Sequence, residues 1–130
     1  MRHQQIKNAL VRAAGDEPDA GAVSAAAIEV WLRIAARLIP VIGAQGVDVL
    51  FRRALVLTSR SFVWLAAVNN DEDADALPES LRRCLASQEM ALAAEAGAAL
   101  LSRFTDLLAS LIGEALTERL LEPVWTVPTP

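Results

Sequence analysis

The chain has 130 residues, 54% of them apolar and 22% charged, with a formal net charge of −4 and a pI near 4.9. That length supports one domain able to bury roughly two thirds of its unfolded surface, and the acidic balance argues against nucleic acid as the main partner. One cysteine and one histidine remove a disulfide framework, ordinary zinc sites and any histidine-based triad or phosphorelay, since the only base would be His3 near the chain start.

The sequence is rich in Ala and Leu, which favour helix, and it lacks strict alternation, hairpin turns and an internal repeat. Stretches without a charged residue, such as Leu38–Val47 and Ser61–Asn70, are about half the length that a bilayer span requires. The apolar core of a secretory signal is also missing at the start. The expectation is an all-α, single-domain bundle of five or six helices around a long C-terminal helix, cytoplasmic, with Cys84 as a buried, unreactive thiol.

Charge is unevenly distributed. Residues 1–14 carry +3, 15–19 carry −3, 20–70 carry +3, 71–76 carry −4 and the remainder −3. Residues 1–22 form a basic N-terminal helix and loop, with Ile6 and Leu10 and then Ala13 or Ala14 as its apolar side. Gly15 and Pro18 punctuate that loop. The first strong helix starts after Ser24 as N-cap and runs to about Ile39. Ile28, Trp31, Leu32, Ala35, Leu38 and Ile39 are its expected inner side, and Val30 and Ile34 lie beside a stripe of Glu29, Arg33 and Arg37. Pro40 kinks or breaks this helix. Gly43-Ala44-Gln45-Gly46 is then a joint, since it lacks the lysine or third glycine that a phosphate loop requires.

A second helix spans Val47 to about Ser59, with Val47, Leu50, Phe51, Ala54 and Thr58 inward. Its opposite side mixes Val49 and Val56 with Arg52, Arg53 and Arg60, a candidate interaction surface because arginine pairs bidentately with carboxylates and is enriched at interfaces. The alternative is that these arginines pair within the fold with Glu114, Glu118 or Glu122. Residues 69–77 are an acidic linker. Asp71, Asp73 and Asp75 imitate the opening of a calcium loop, but Ala76, Pro78 and Arg82 fall where such a loop needs glycine, a continuous turn and a bidentate glutamate.

Pro78 opens a short helix over Leu81 to about Ser87, which either breaks near Ser87-Gln88 or runs on into the long one. From Ala91 to Pro123 apolar residues cover nearly half the helical circumference, which implies contact with several neighbours. Gly113 either terminates this helix or only weakens it, and a continuous or bent helix that stops at Pro123 is favoured because Ile112, Leu116 and Leu120 stack through it. Residues 123–130 read as an extended, proline-containing tail anchored by Trp125. Trp31, Trp64 and Trp125 are expected as packing anchors and not as a cofactor box.

Two runs, Gly43–Leu55 and Leu111–Leu121, resemble small, uncharacterised all-helical bacterial domains with the patterns G-x-x-G-x-x-x-L-x-x-R-x-L and L-I-G-E-x-L-T-x-R-L-L. The resemblance covers about residues 24–66 and 96–126. It implies a bacterial, signalling-associated protein and a polar network of Arg53, Glu114, Thr117 and Arg119. No activity is attached to that set. The sequence therefore points to a non-catalytic helical module that binds itself or a protein partner, with no cofactor and no metal. The competing expectations are a small apolar-ligand sensor with a pocket between the long helix and the two front helices and, more remotely, an enzyme using Glu114 or Asp106 beside an arginine.

Overall fold

The computed structural model describes residues 2–13, 19–70 and 77–125, and these form an all-α bundle with no strand among them. Helix α1 spans Arg2–Ala13, α2 Ala20–Thr58, α3 Leu77–Ala86, α4 Met90–Ile112 and α5 Glu114–Trp125, and a 3₁₀ segment, η1, covers Val63–Asn70 between α2 and α3. Most of the acidic linker (71–76), its calcium-loop imitation, Ala14 and the tail residues 126–130 lie outside the described residues, as do the side chains of His3, Ala13 and Trp125.

Helix α2 starts earlier than Ser24. Asp19 is the N-cap, extended at φ −126° and ψ 177°, and its carboxylate accepts the Ala22 N–H at 2.7 Å. A charged cap satisfies an orphan donor and complements the helix dipole together. Ser24 instead lies in the first turns, fully buried, and its hydroxyl donates to the Gly21 carbonyl at 2.9 Å. The inner face is rotated from the expected one: Val23, Ala27, Val30, Trp31, Ile34 and Leu38 are buried, whereas Leu32 and Ile39 are exposed. Burial follows the i, i+3/i+4 rows that face α4, and the width of the apolar set hid which row that is.

The break in α2 is at Gly43 (φ 83°, ψ 156°), while Pro40 stays inside the helix on its exposed side. Gly113 has nearly the same backbone (φ 96°, ψ 150°) and separates α4 from α5. The continuous rod through Gly113 is thus corrected to two helices. A backbone at positive φ with ψ near 150° is open to almost nothing but glycine, so one residue overrides the stacked Ile112, Leu116 and Leu120. Pro123 likewise does not begin the tail, because α5 continues through it to Trp125. The short helix is separate from α4, with Ser87–Glu89 between them.

These two glycines belong to a larger correspondence. Every buried position from Val23 to Ala54 has a buried counterpart seventy residues on, as in Ile34/Phe104, Leu38/Leu108, Val47/Thr117, Phe51/Leu121 and Ala54/Val124. Ile6 and Leu10 of α1 correspond, at an offset of seventy-five, to Leu81 and Leu85 of α3. The fold is an internal repeat, contrary to the reading of the sequence. Its halves interlock: α1 lies chiefly against α4 and α3 chiefly against α2. Ala27 and its counterpart Gly97 meet where the long helices cross, a Cβ on Gly97 falling 3.5 Å from Ala27 Cβ and 3.4 Å from Leu10 Cδ1. Self-equivalent contacts of this kind mark an approximate twofold axis.

Further along, Trp31 sets its ring edge-on to Phe104, with centroids 4.9 Å apart and planes at 82°. Stepping forward along α2 therefore steps forward along α4. The first arm of α2 and α4 run in the same direction, and both end at their glycines. After Gly43 the second arm of α2 (44–58) folds back so that Phe51 stacks on Trp31, with centroids at 4.0 Å. Trp31 is held between two rings at the centre, an anchor as expected. The opposite crossing is closed by Arg37, whose Nε donates to the Leu120 carbonyl at 3.1 Å.

Candidate interaction surface

The broad apolar face of α4 is consumed within the bundle. Ala93, Ala96, Leu100, Leu101, Phe104 and Leu108 are all buried against the surrounding helices. The long helix thus contributes little of the surplus apolar surface expected from it, apart from Leu111 next to its terminal glycine. The surplus is found elsewhere: on α2 at Leu32, Ile39, Val41, Val49 and Val56, at Val63 opening η1, and at Leu116 on α5.

Among these, Val49 and Val56 form an ordered surface. The inner side of the second arm uses Val47, Phe51, Ala54, Leu55 and Thr58, all buried. Helical geometry then sends Val49, Arg53, Val56 and Arg60 outward in a line at i, i+4, i+7 and i+11, although Arg60 stands two residues past the helix end. Val49 is 60% exposed and Val56 41%, and Val63, 74% exposed, lies just beyond Arg60. Arg52 stands to one side, its Nε donating to both Asp48 oxygens at 3.2 and 3.1 Å. That pairing stiffens the arm and leaves Arg53 and Arg60 as its outward charges. Among the described residues Arg53, Arg60, Glu118 and Arg119 form no ion pair.

Of the polar network positions, Thr117 is buried, and its hydroxyl donates at 2.8 Å to the carbonyl of Gly113, the residue just before its helix. Arg53, Glu114 and Arg119 are all exposed, the first on α2 and the other two on α5. Glu114, Glu118 and Glu122 follow one another at i, i+4, i+8 along an exposed row of α5. The stripe of the first arm behaves as its spacing suggests: Arg33 Nη2 donates to Glu29 Oε1 at 2.6 Å.

Two shallow recesses mark the described surface. The larger, about 250 Å³ and wide open, is lined by Ala67, Val68, Ser80, Arg83 and Cys84. The other, about 120 Å³, lies between Trp31, Val47, Asp48, Phe51, Leu77 and Pro78. Both fall below the usual size of small-molecule sites, about 300 Å³ and more, and neither has a wall from α4. Cys84 is half-buried, and its thiol donates to the Trp64 carbonyl at 3.5 Å. Burial pushes that thiol up, which disfavours the thiolate and with it nucleophilic chemistry. No group of three or more metal-ligating side chains occurs among the described residues, and no helix there is long and apolar enough to cross a membrane.

Protein-family models, curated proteins and solved structures give no match to this chain. The resemblance to small bacterial helical domains therefore rests on its two patterns alone.

Proposed function

We propose that the protein is a non-catalytic helical module for protein–protein recognition, bacterial and cytoplasmic, associated with signalling and binding to itself. The observation that carries this reading is the outward row Val49, Arg53, Val56 and Arg60, which sets apolar side chains between uncommitted guanidinium groups on a braced helix. Apolar contact supplies the gain on docking, and arginine supplies orientation by bidentate pairing with carboxylates. The raised thiol of Cys84 and the shallow recesses favour a surface role over an enzyme or an enclosed ligand sensor. Size-exclusion chromatography with light scattering tests it: association is expected at high micromolar concentration, and a strict monomer there removes self-recognition.

A further inference from the structure

The internal repeat makes two helices directly comparable. The second arm of α2 (44–58) and α5 (Glu114–Trp125) occupy equivalent places after equivalent glycines, and their buried positions coincide over 47–54 and 117–124. Their outward charges do not. The first, taken to Arg60, holds Asp48, Arg52, Arg53 and Arg60, a net +2; α5 holds Glu114, Glu118, Arg119 and Glu122, a net −2.

We infer that the basic arm of α2 docks on the acidic face of α5 in a second copy of this chain. This deepens the self-association reading and rests on it. Glu118, considered as an intramolecular partner for the arginines, is then met by an arginine of the other copy. Each copy presents both faces, so one pair of molecules can make the contact reciprocally, or successive copies can make it head to tail. A contact built this way weakens as salt is added, because its exposed charges are screened within about 10 Å at 0.1 M ionic strength.

Two charge-reversed variants test the inference, each checked for helicity by circular dichroism. Arg53→Glu with Arg60→Glu makes both faces acidic, and Glu118→Arg with Glu122→Arg makes both basic. Each variant alone is expected to associate at least ten-fold more weakly than wild type by light scattering. An equimolar mixture is expected to recover association as a mixed species, since the reversed arm of one now faces the reversed α5 of the other. Should the Glu118/Glu122 variant lose helicity, Glu118→Arg alone takes its place in the same mixture. Wild-type association that survives both reversals overturns this interface while leaving self-recognition intact. A wild-type protein that stays monomeric overturns both.

Discussion

The two halves of the molecule solve one packing problem with different surfaces. Every buried position from Val23 to Ala54 is buried again from Ala93 to Val124, where Ala98 and Thr105 are buried in addition, yet few side chains are identical: Ala26/Ala96, Arg33/Arg103, Leu38/Leu108, Ile42/Ile112, Gly43/Gly113 and Leu50/Leu120. The comparison teaches that burial and backbone geometry constrain this fold tightly and surface charge hardly at all. Where the core pattern repeats, one half has Trp31 and Phe51 and the other Leu101 and Leu121, so volume is partitioned unequally across the axis. On the outside the same freedom has produced opposite signs on equivalent helices.

The largest way to break this correspondence is at its centre. Trp31→Ala removes the ring that both Phe51 and Phe104 touch, and a loss of about 3–5 kcal/mol is expected by urea denaturation. If the cost is under 1 kcal/mol, the aromatic cluster does not join the halves. Next come the glycines. Gly43→Ala and Gly113→Ala meet no neighbouring atom, so steric crowding is absent and only the backbone conformation opposes them. Each is expected to lose about 1–3 kcal/mol in thermal melts. Gly46→Ala, inside the helix and in ordinary contact with Ile42, should gain about 0.5–1 kcal/mol.

Two buried threonines sharpen the comparison further. Thr58 is buried with its hydroxyl unpartnered, and Thr58→Val is expected to raise stability by about 1 kcal/mol, read as a higher denaturation midpoint. Thr117→Val should be near neutral, because its hydroxyl bonds only to the carbonyl of Gly113, just before its helix, and its counterpart is already Val47.

The smallest effect separates α3 from its counterpart α1. Glu79 in the first turn of α3 accepts hydrogen bonds from Arg82, Nε to Oε2 at 3.0 Å, and that bond holds its carboxyl below the usual range; α1 has no acid in its first turn. A carboxyl lowered on folding adds stability above its unfolded pKa, and that contribution fades as pH falls through the folded value. Glu79→Gln should therefore be slightly less stable than wild type at neutral pH, and the gap should close under acid. A gap that widens in acid contradicts the assignment.

Much of this was legible beforehand. The all-α class follows from composition, and the inner sides of α1 and of the second arm of α2 follow from spacing alone, because their polar residues leave a single row to bury. Val49, Arg53, Val56 and Arg60 could be singled out for the same reason. Elsewhere the pattern was too permissive. The first arm of α2 is apolar over so much of its surface that spacing favoured Leu32 and Ile39 as inward over Val30 and Ile34, and only the direction of α4 reverses that choice. The repeat was hidden because its spacing differs before the long helices: thirteen residues separate Leu10 from Val23, but eight separate Leu85 from Ala93.

What the sequence by itself determined is where helix is favoured and which residues cannot tolerate burial, since propensity and charge are local properties. Tertiary structure alone decided that Gly43 and Gly113 are breaks while Pro40 and Pro123 are not. A proline near a helix end loses one hydrogen bond that neighbouring packing can offset. A glycine at positive φ redirects the whole chain, and packing rewards that turn only when Phe51 reaches Trp31 and α5 reaches Arg37.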